Sequence, residues 1–162
     1  MHTDDLALID RFYEAFAQRD GAAMAACYAP GATFTDPAFG TLGAEDAGAM
    51  WRMLTERGED LAVEVRERSA AGGRGRAHWI ARYTFSQTGR PVVNDVHAEF
   101  RFADGLIAEH TDHFSFWRWS RQALGPAGLA LGWTPVLRSK VRSTALESLA
   151  RFRAEEVRRG AA

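Results

Sequence analysis

His110 and Asp112 stand two residues apart in a stretch that alternates polar and apolar types, and both fall on the side shared with Phe114 and Phe116. On a strand, that spacing puts their side chains on one face, roughly 6.6–6.8 Å apart along the chain, within reach of one ligand or water. A charge on an apolar face must be paired, protonated or used. Asn94 lies on the apolar face of the preceding strand pattern, with Val96 and Phe100. Three polar side chains on the inner face of a curved sheet suggest a pocket rather than a dry core. Asp36, just ahead of Pro37, is the remaining acidic candidate.

Each of these residues also admits a structural reading. His110 and Asp112 could bond to each other, or to Arg11 or Arg52 from a helix, and Asp-Pro after a strand is ordinary turn chemistry. Aromatics such as Tyr13, Trp51, Trp79 and Tyr83 are more often core than ligand cage. Cys27 reads as a small helix filler. His78, His97 and His113 fall on outer faces, as surface or interface histidines. His-x-Asp offers a metal two ligands and no third is indicated, so no metal site is expected.

Several classes drop out. There is no glycine-rich phosphate loop, no G-x-S-x-G and no HExxH. One cysteine in 162 residues forbids a disulfide framework within the chain and zinc-finger spacing. Net charge is -1, although residues 117–162 carry nine basic residues against three glutamates. Without an aromatic-basic binding motif, that basic tail gives no reason to expect nucleic acid. No apolar run approaches the roughly 18 residues of a membrane span, and His2-Thr3-Asp4-Asp5 is the wrong chemistry for a signal peptide. A cytoplasmic protein with no membrane partner is expected.

The elements that must position these residues follow from periodicity. Thr3 can cap a first helix in which Leu6, Ile9, Phe12, Tyr13 and Phe16 keep helical spacing. Residues 22–28 read as a short second helix, 32–35 as a short strand, 39–43 as loop and 45–57 as a third helix. The period then changes to two, and four strands follow, punctuated by glycine turns including Asp104-Gly105. Helices first and an antiparallel meander afterwards mean α+β. After Phe116 comes a 46-residue tail with Trp117, Trp119 and Trp133. Thr134-Pro135 starts its last helix, striped by Leu137, Val141, Leu149 and Phe152.

The stretch IDRFYEAFAQRDGAAMAACYAPGATFTDP, together with a later RFADGLIAEHTDHF, resembles the nuclear transport factor 2-like superfamily. Its SnoaL-like and ketosteroid-isomerase-like bacterial members match best, over residues 5–116. The resemblance implies a cone: a curved antiparallel sheet wrapped around the N-terminal helices, with a pocket inside. Residues 1–116 would form it, and 117–162 a helical extension packed on the same domain. Asp36 falls where ketosteroid isomerases carry their general base. Their oxyanion-hole positions hold Phe12 and Ala98 here, which departs from a steroid isomerase pattern. His110 and Asp112 match pocket-lining positions of the last strand, where SnoaL-like cyclases place an acid/base aspartate and related dehydratases a His/Asp pair. The tail segments FWRWSRQALG and LGWTP resemble a subgroup of uncharacterised bacterial members.

The expected function is therefore cofactor-independent acid/base chemistry, of isomerase, dehydratase, cyclase or hydrolase type, on a small hydrophobic molecule. Asp36 would remove a proton or activate water, and His110, oriented by Asp112, would handle the second proton. Tyr13, Phe16, Trp51 and Trp79 would shape the pocket with Tyr83, Asn94 and Phe114. The tail would cover the pocket mouth, anchored by Trp117, Trp119 and Trp133. The resemblance also implies a homodimer paired through the outer sheet face, near His78, Arg82, His97, Glu99 and Arg101. The alternative is a non-catalytic small-molecule-binding or protein-interaction domain of the same fold.

Overall fold

In the computed structural model, which describes residues 2–161, the N-terminal apolar stripe forms α1 (His2–Ala17). Leu8, Ile9, Phe12, Tyr13, Ala15 and Phe16 turn one face of that helix into the core. The Thr3 side chain, expected as its cap, lies outside the described residues. Asp20 caps α2 (Gly21–Ala25) by accepting the Ala23 N–H at 3.0 Å. α3 (Ala44–Arg57) buries Met50, Trp51 and Met53, with Glu45 and Asp46 in its first turn and Arg57 in its last, matching the helix dipole.

The strands are β1 (Tyr28–Asp36), β2 (Gly40–Gly43), β3 (Ala62–Ala71), β4 (Arg74–Phe85), β5 (Arg90–Ala103) and β6 (Leu106–His113). They form one curved, unclosed sheet in the order β2-β1-β6-β5-β4-β3. β3 to β6 are the expected antiparallel meander. β1 then lies parallel to β6, with Phe34 opposite His110. The fold is the α+β cone, with α1 and α3 packed on the concave face of the sheet.

Three local expectations are corrected. The second helix stops at Ala25 and Tyr28 opens β1, because Ile107 N donates to the Cys27 carbonyl at 2.8 Å and pulls the chain into the sheet. Pro30 and Gly31 then sit at an irregularity between the paired residues Tyr28 and Thr33, where a missing N–H costs nothing. Residues 40–43, expected as loop, pair with β1 as β2. In β6 the register slips between Arg101 and Phe102, leaving Ala108 as an extra residue. That bulge reverses the alternation, so Ile107, which simple parity with Glu109 puts on the outer face, turns fully inward.

The tail forms α4 (Phe116–Leu124), α5 (Pro126–Leu131) and α6 (Pro135–Ala161). β5 outruns β6, so its first residues have no strand on that side, and α4 covers them. Gln122 Oε1 accepts the Val93 N–H at 2.9 Å and its Nε2 donates to the Val93 carbonyl at 3.1 Å. Phe116, Trp119 and Ala123 pack there on Val92. α6 lies on α3 through buried Leu149 and Phe152, with Arg52–Glu156 at 2.8 Å and Arg153–Asp46 at 2.6 Å.

The expected tryptophan anchors are corrected too. Trp119 is buried, but Trp117 is 36% and Trp133 74% exposed. The indole N–H of Trp133 bonds only within its own turn, to Ala130 O at 2.9 Å, which leaves the ring in solvent. Among the described residues, no helix is long and apolar enough to cross a membrane.

Candidate active site

The sheet and helices form a half-open cavity of about 500 Å³. That falls in the range of small-molecule sites. Asp36 reaches it from the end of β1, Asp112 from β6, Asn94 from β5, and Trp79 and Tyr83 from β4. Phe16, Trp51 and Phe114 also line it. α6 closes one side with Leu137, Lys140, Val141, Thr144, Ala145 and Ser148, so the tail's last helix forms part of the cavity wall.

His110 and Tyr13 do not line the cavity, contrary to expectation. His110 is 1% exposed. Its ring stacks on Phe100 at 4.3 Å and meets the edges of Phe34 at 4.9 Å and Phe12 at 5.5 Å. The cross-strand neighbours on β1 and β5, Phe34 and Phe100, close over it from both sides. Tyr13 packs edge-on against Phe12 and tilts against Trp79, behind the same wall.

Both imidazole nitrogens are occupied. Nδ1 lies 2.7 Å from the Tyr28 hydroxyl and Nε2 2.8 Å from Asp112 Oδ1. The Trp51 indole donates to the same Tyr28 oxygen at 2.8 Å. One assignment of protons satisfies every group. Trp51 donates to Tyr28, Tyr28 donates to Nδ1, and the Nε2 proton goes to the carboxylate. The donors thus run in one direction, from α3 through β1 and β6, and end on Asp112. The histidine takes up only Oδ1 of that carboxylate, and Asp112 itself borders the cavity.

Asp36 combines turn and site. Its Oδ1 accepts the N–H groups of Ala38 at 2.9 Å and Phe39 at 2.6 Å, closing the turn into β2. The side chain keeps access to the cavity but is otherwise enclosed by protein. Its pKa is raised to about 7, first by that enclosure, against the lowering effect of the Phe39 N–H, then by the nearby negative charge of Asp112, against the Ala38 N–H and Arg142. Tyr83 neighbours it, and burial pushes the phenol up despite a 2.8 Å hydrogen bond from Trp119 Nε1.

Two buried donors have no partner among the described residues: the Tyr13 hydroxyl and Trp79 Nε1. Burial, then the charges of Asp112 and Tyr28, hold the Tyr13 phenol well above its usual pKa. Trp79 is a residue of the cavity wall, where an unpaired donor suits an oxygen of a bound molecule or water, whereas the Tyr13 hydroxyl lies behind that wall.

Sequence reasoning missed Tyr28, whose local pattern is helical and whose role depends on a strand 82 residues away. It also missed Lys140, Thr144 and Arg142, which only the fold of α6 brings to the cavity or to Asp36.

A curved sheet around an apolar cavity with inward carboxylates defines a class of small pocket proteins. The SnoaL-like domain profile matches residues 9–110, and the chain belongs to that family. Solved structures with the same fold include a SnoaL-like polyketide cyclase, so named as putative, from Jannaschia sp. CCS1. It is 16% identical with a TM-score of 0.67, covering 77% of this chain and 94% of that one. An epoxide hydrolase of M. tuberculosis is 17% identical with a TM-score of 0.64, covering 80% and 97%. A protein of ketosteroid isomerase-like fold from Catenulispora acidiphila, in complex with trimethylamine, is 19% identical with a TM-score of 0.65, covering 79% and 97%. The comparison with curated proteins gave no match.

Proposed function

We propose that the cavity is an acid–base site for a small, largely apolar organic molecule, working without a metal or redox cofactor. The observation that carries this reading is the placement of two carboxylates from different strands on one largely apolar cavity, with one of them tuned to about neutral pH. A group with a pKa near the working pH both takes and returns a proton, and such partners contribute roughly 10²–10⁴-fold each. Asp36 is the proton-exchanging group. Asp112, held by the Trp51–Tyr28–His110 chain, faces it as the second carboxylate. His110 acts through Asp112 as a positioning residue rather than by touching substrate. Isomerisation, dehydration, cyclisation and hydrolysis all fit this outline, and the protein is taken to act as a cytoplasmic homodimer.

The test is a panel of epoxides, β-hydroxy ketones and polycyclic ketones followed by mass spectrometry across pH. Conversion with an apparent pKa near 7, cut by Asp36→Asn and Asp112→Asn while ligand binding persists, supports it. The second reading is a non-catalytic binding pocket. It draws on the turn that Asp36 closes, since two backbone N–H bonds are reason enough for an aspartate there. Ligand retained by wild type and Asp36→Asn alike, with no compound converted, would favour it.

A further inference from the structure

The outer face of the sheet carries a second constellation, distinct from the cavity. His78 on β4 is directly opposite His97 on β5, and His97 is directly opposite His113 on β6. Three histidines therefore form a row across three adjacent strands. Asp95 stands two residues before His97 on the same face. The His78 and His97 rings are stacked 4.3 Å apart and nearly parallel, at 8°. His78 Nε2 is 2.7 Å and His97 Nε2 3.8 Å from the same oxygen, Asp95 Oδ1.

We propose that His78, Asp95 and His97 bind a divalent transition-metal ion, of the zinc, cobalt or nickel kind. Two imidazoles and one carboxylate are a donor set that favours such ions over magnesium or calcium, which prefer oxygen alone. Three ligands leave a position open for water or a further ligand. The ligand atoms lie within 4.8 Å of one another. A tetrahedral ion with bonds of about 2.1 Å holds them roughly 3.4 Å apart and near the plane of each ring, so closure asks for a shift of about 1 Å and for His97 to turn out of its stack on His78. The His97 side chain is 68% exposed and free to make that adjustment, whereas His78 at 22% is the more fixed member. Within the single chain Asp95 and His97 line an open groove, which gives the ion an entry path before any pairing through this face. His113 is left out of the set, since its Nε2 faces Glu99 at 3.4 Å.

Tag-free protein titrated with zinc and, separately, with cobalt(II) tests the site. Calorimetry should give one ion per chain, cobalt should develop the visible absorption of a low-coordinate centre, and zinc should raise the melting temperature. His78→Ala, Asp95→Ala and His97→Ala should each weaken zinc binding about tenfold or more, while His113→Ala should change it less than about threefold. The melting temperatures of these surface variants in chelator, compared with wild type, check that they fold. No saturable binding, or binding that the His78 and His97 variants leave intact, overturns the proposal. So does one ion per two chains, which would mean ligands from two copies. These readouts are independent of the cavity, so failure here leaves the acid–base reading untouched.

Discussion

His110 Nε2 lies 2.8 Å from Asp112 Oδ1 across a single intervening residue of β6, and neither side chain reaches bulk solvent. The neighbour that makes this geometry durable is Tyr28, because it engages the other imidazole nitrogen and itself accepts from Trp51. A ring fixed at both nitrogens cannot turn, so Asp112 keeps one oxygen tied and one edge toward the cavity.

Tyr28→Phe should therefore destabilise the protein. It strands His110 Nδ1 and Trp51 Nε1 in the core, and an unsatisfied buried polar group costs about 1–3 kcal/mol. Tyr13→Phe is the contrast, since the Tyr13 hydroxyl has no partner to lose among the described residues. Urea unfolding should show a clear loss for the first and a neutral or slightly stabilising effect for the second. Equal losses would mean that Tyr13 is engaged by bound water or ligand.

Asp36 should make stability fall with rising pH. Its pKa is about 7 in the fold and near 3.9 when unfolded, so the folded protein holds the proton more tightly. The contribution is fully present below the unfolded value and is lost as pH rises to about 7, at up to about 1.4 kcal/mol per pKa unit. Asp36→Asn keeps an oxygen for the Ala38 and Phe39 N–H groups and has nothing to ionise. Its melting temperature relative to wild type should climb between pH 4 and 7 and then level off. A difference that stays flat with pH would remove the case for a raised pKa.

Asp112→Asn removes the negative charge that raises the pKa of Asp36, so Asp36 should titrate lower in that variant. Carbon-detected NMR titration of the Asp36 carboxyl reads this directly. An unchanged midpoint would show that the two carboxylates are uncoupled.

Trp119 and Trp133 should behave as opposites. Trp119→Ala empties a buried site and strands the Tyr83 hydroxyl, for a cost of about 3–5 kcal/mol. Trp133→Ala, at a ring 74% exposed, should stay within about 0.5 kcal/mol. Deleting residues 134–162 should go further than either. It uncovers the cavity wall and the α3 face under Leu149 and Phe152, so thermal melting should drop and an apolar reporter dye should bind. A deletion variant that melts like wild type would make α6 dispensable to the fold.

Much of the architecture was legible because it rests on short-range rules. Helical spacing in residues 6–16 and alternation from residue 61 onward are set by which side of a helix or strand must leave water. The Asp104-Gly105 turn, with φ of 53° and 77°, is fixed by what those two residue types tolerate locally. The inward parity of His110 and Asp112 followed from the same rule, as did the outward parity of His78 and His97. What parity could not supply was depth or register. Ala108 is left over where the β5–β6 register shifts, and that reverses the residues before it. Tyr28 becomes a strand residue and a histidine partner only when β6 arrives beside it, and His110 is sealed from the cavity only when Phe34 and Phe100 close from neighbouring strands. The register that sets His78 opposite His97 and beside Asp95, and the seating of Lys140 and Val141 on the cavity, depend on pairings and docking between distant segments. Such contacts are chosen by the packing of the whole chain, and no window of local sequence encodes them.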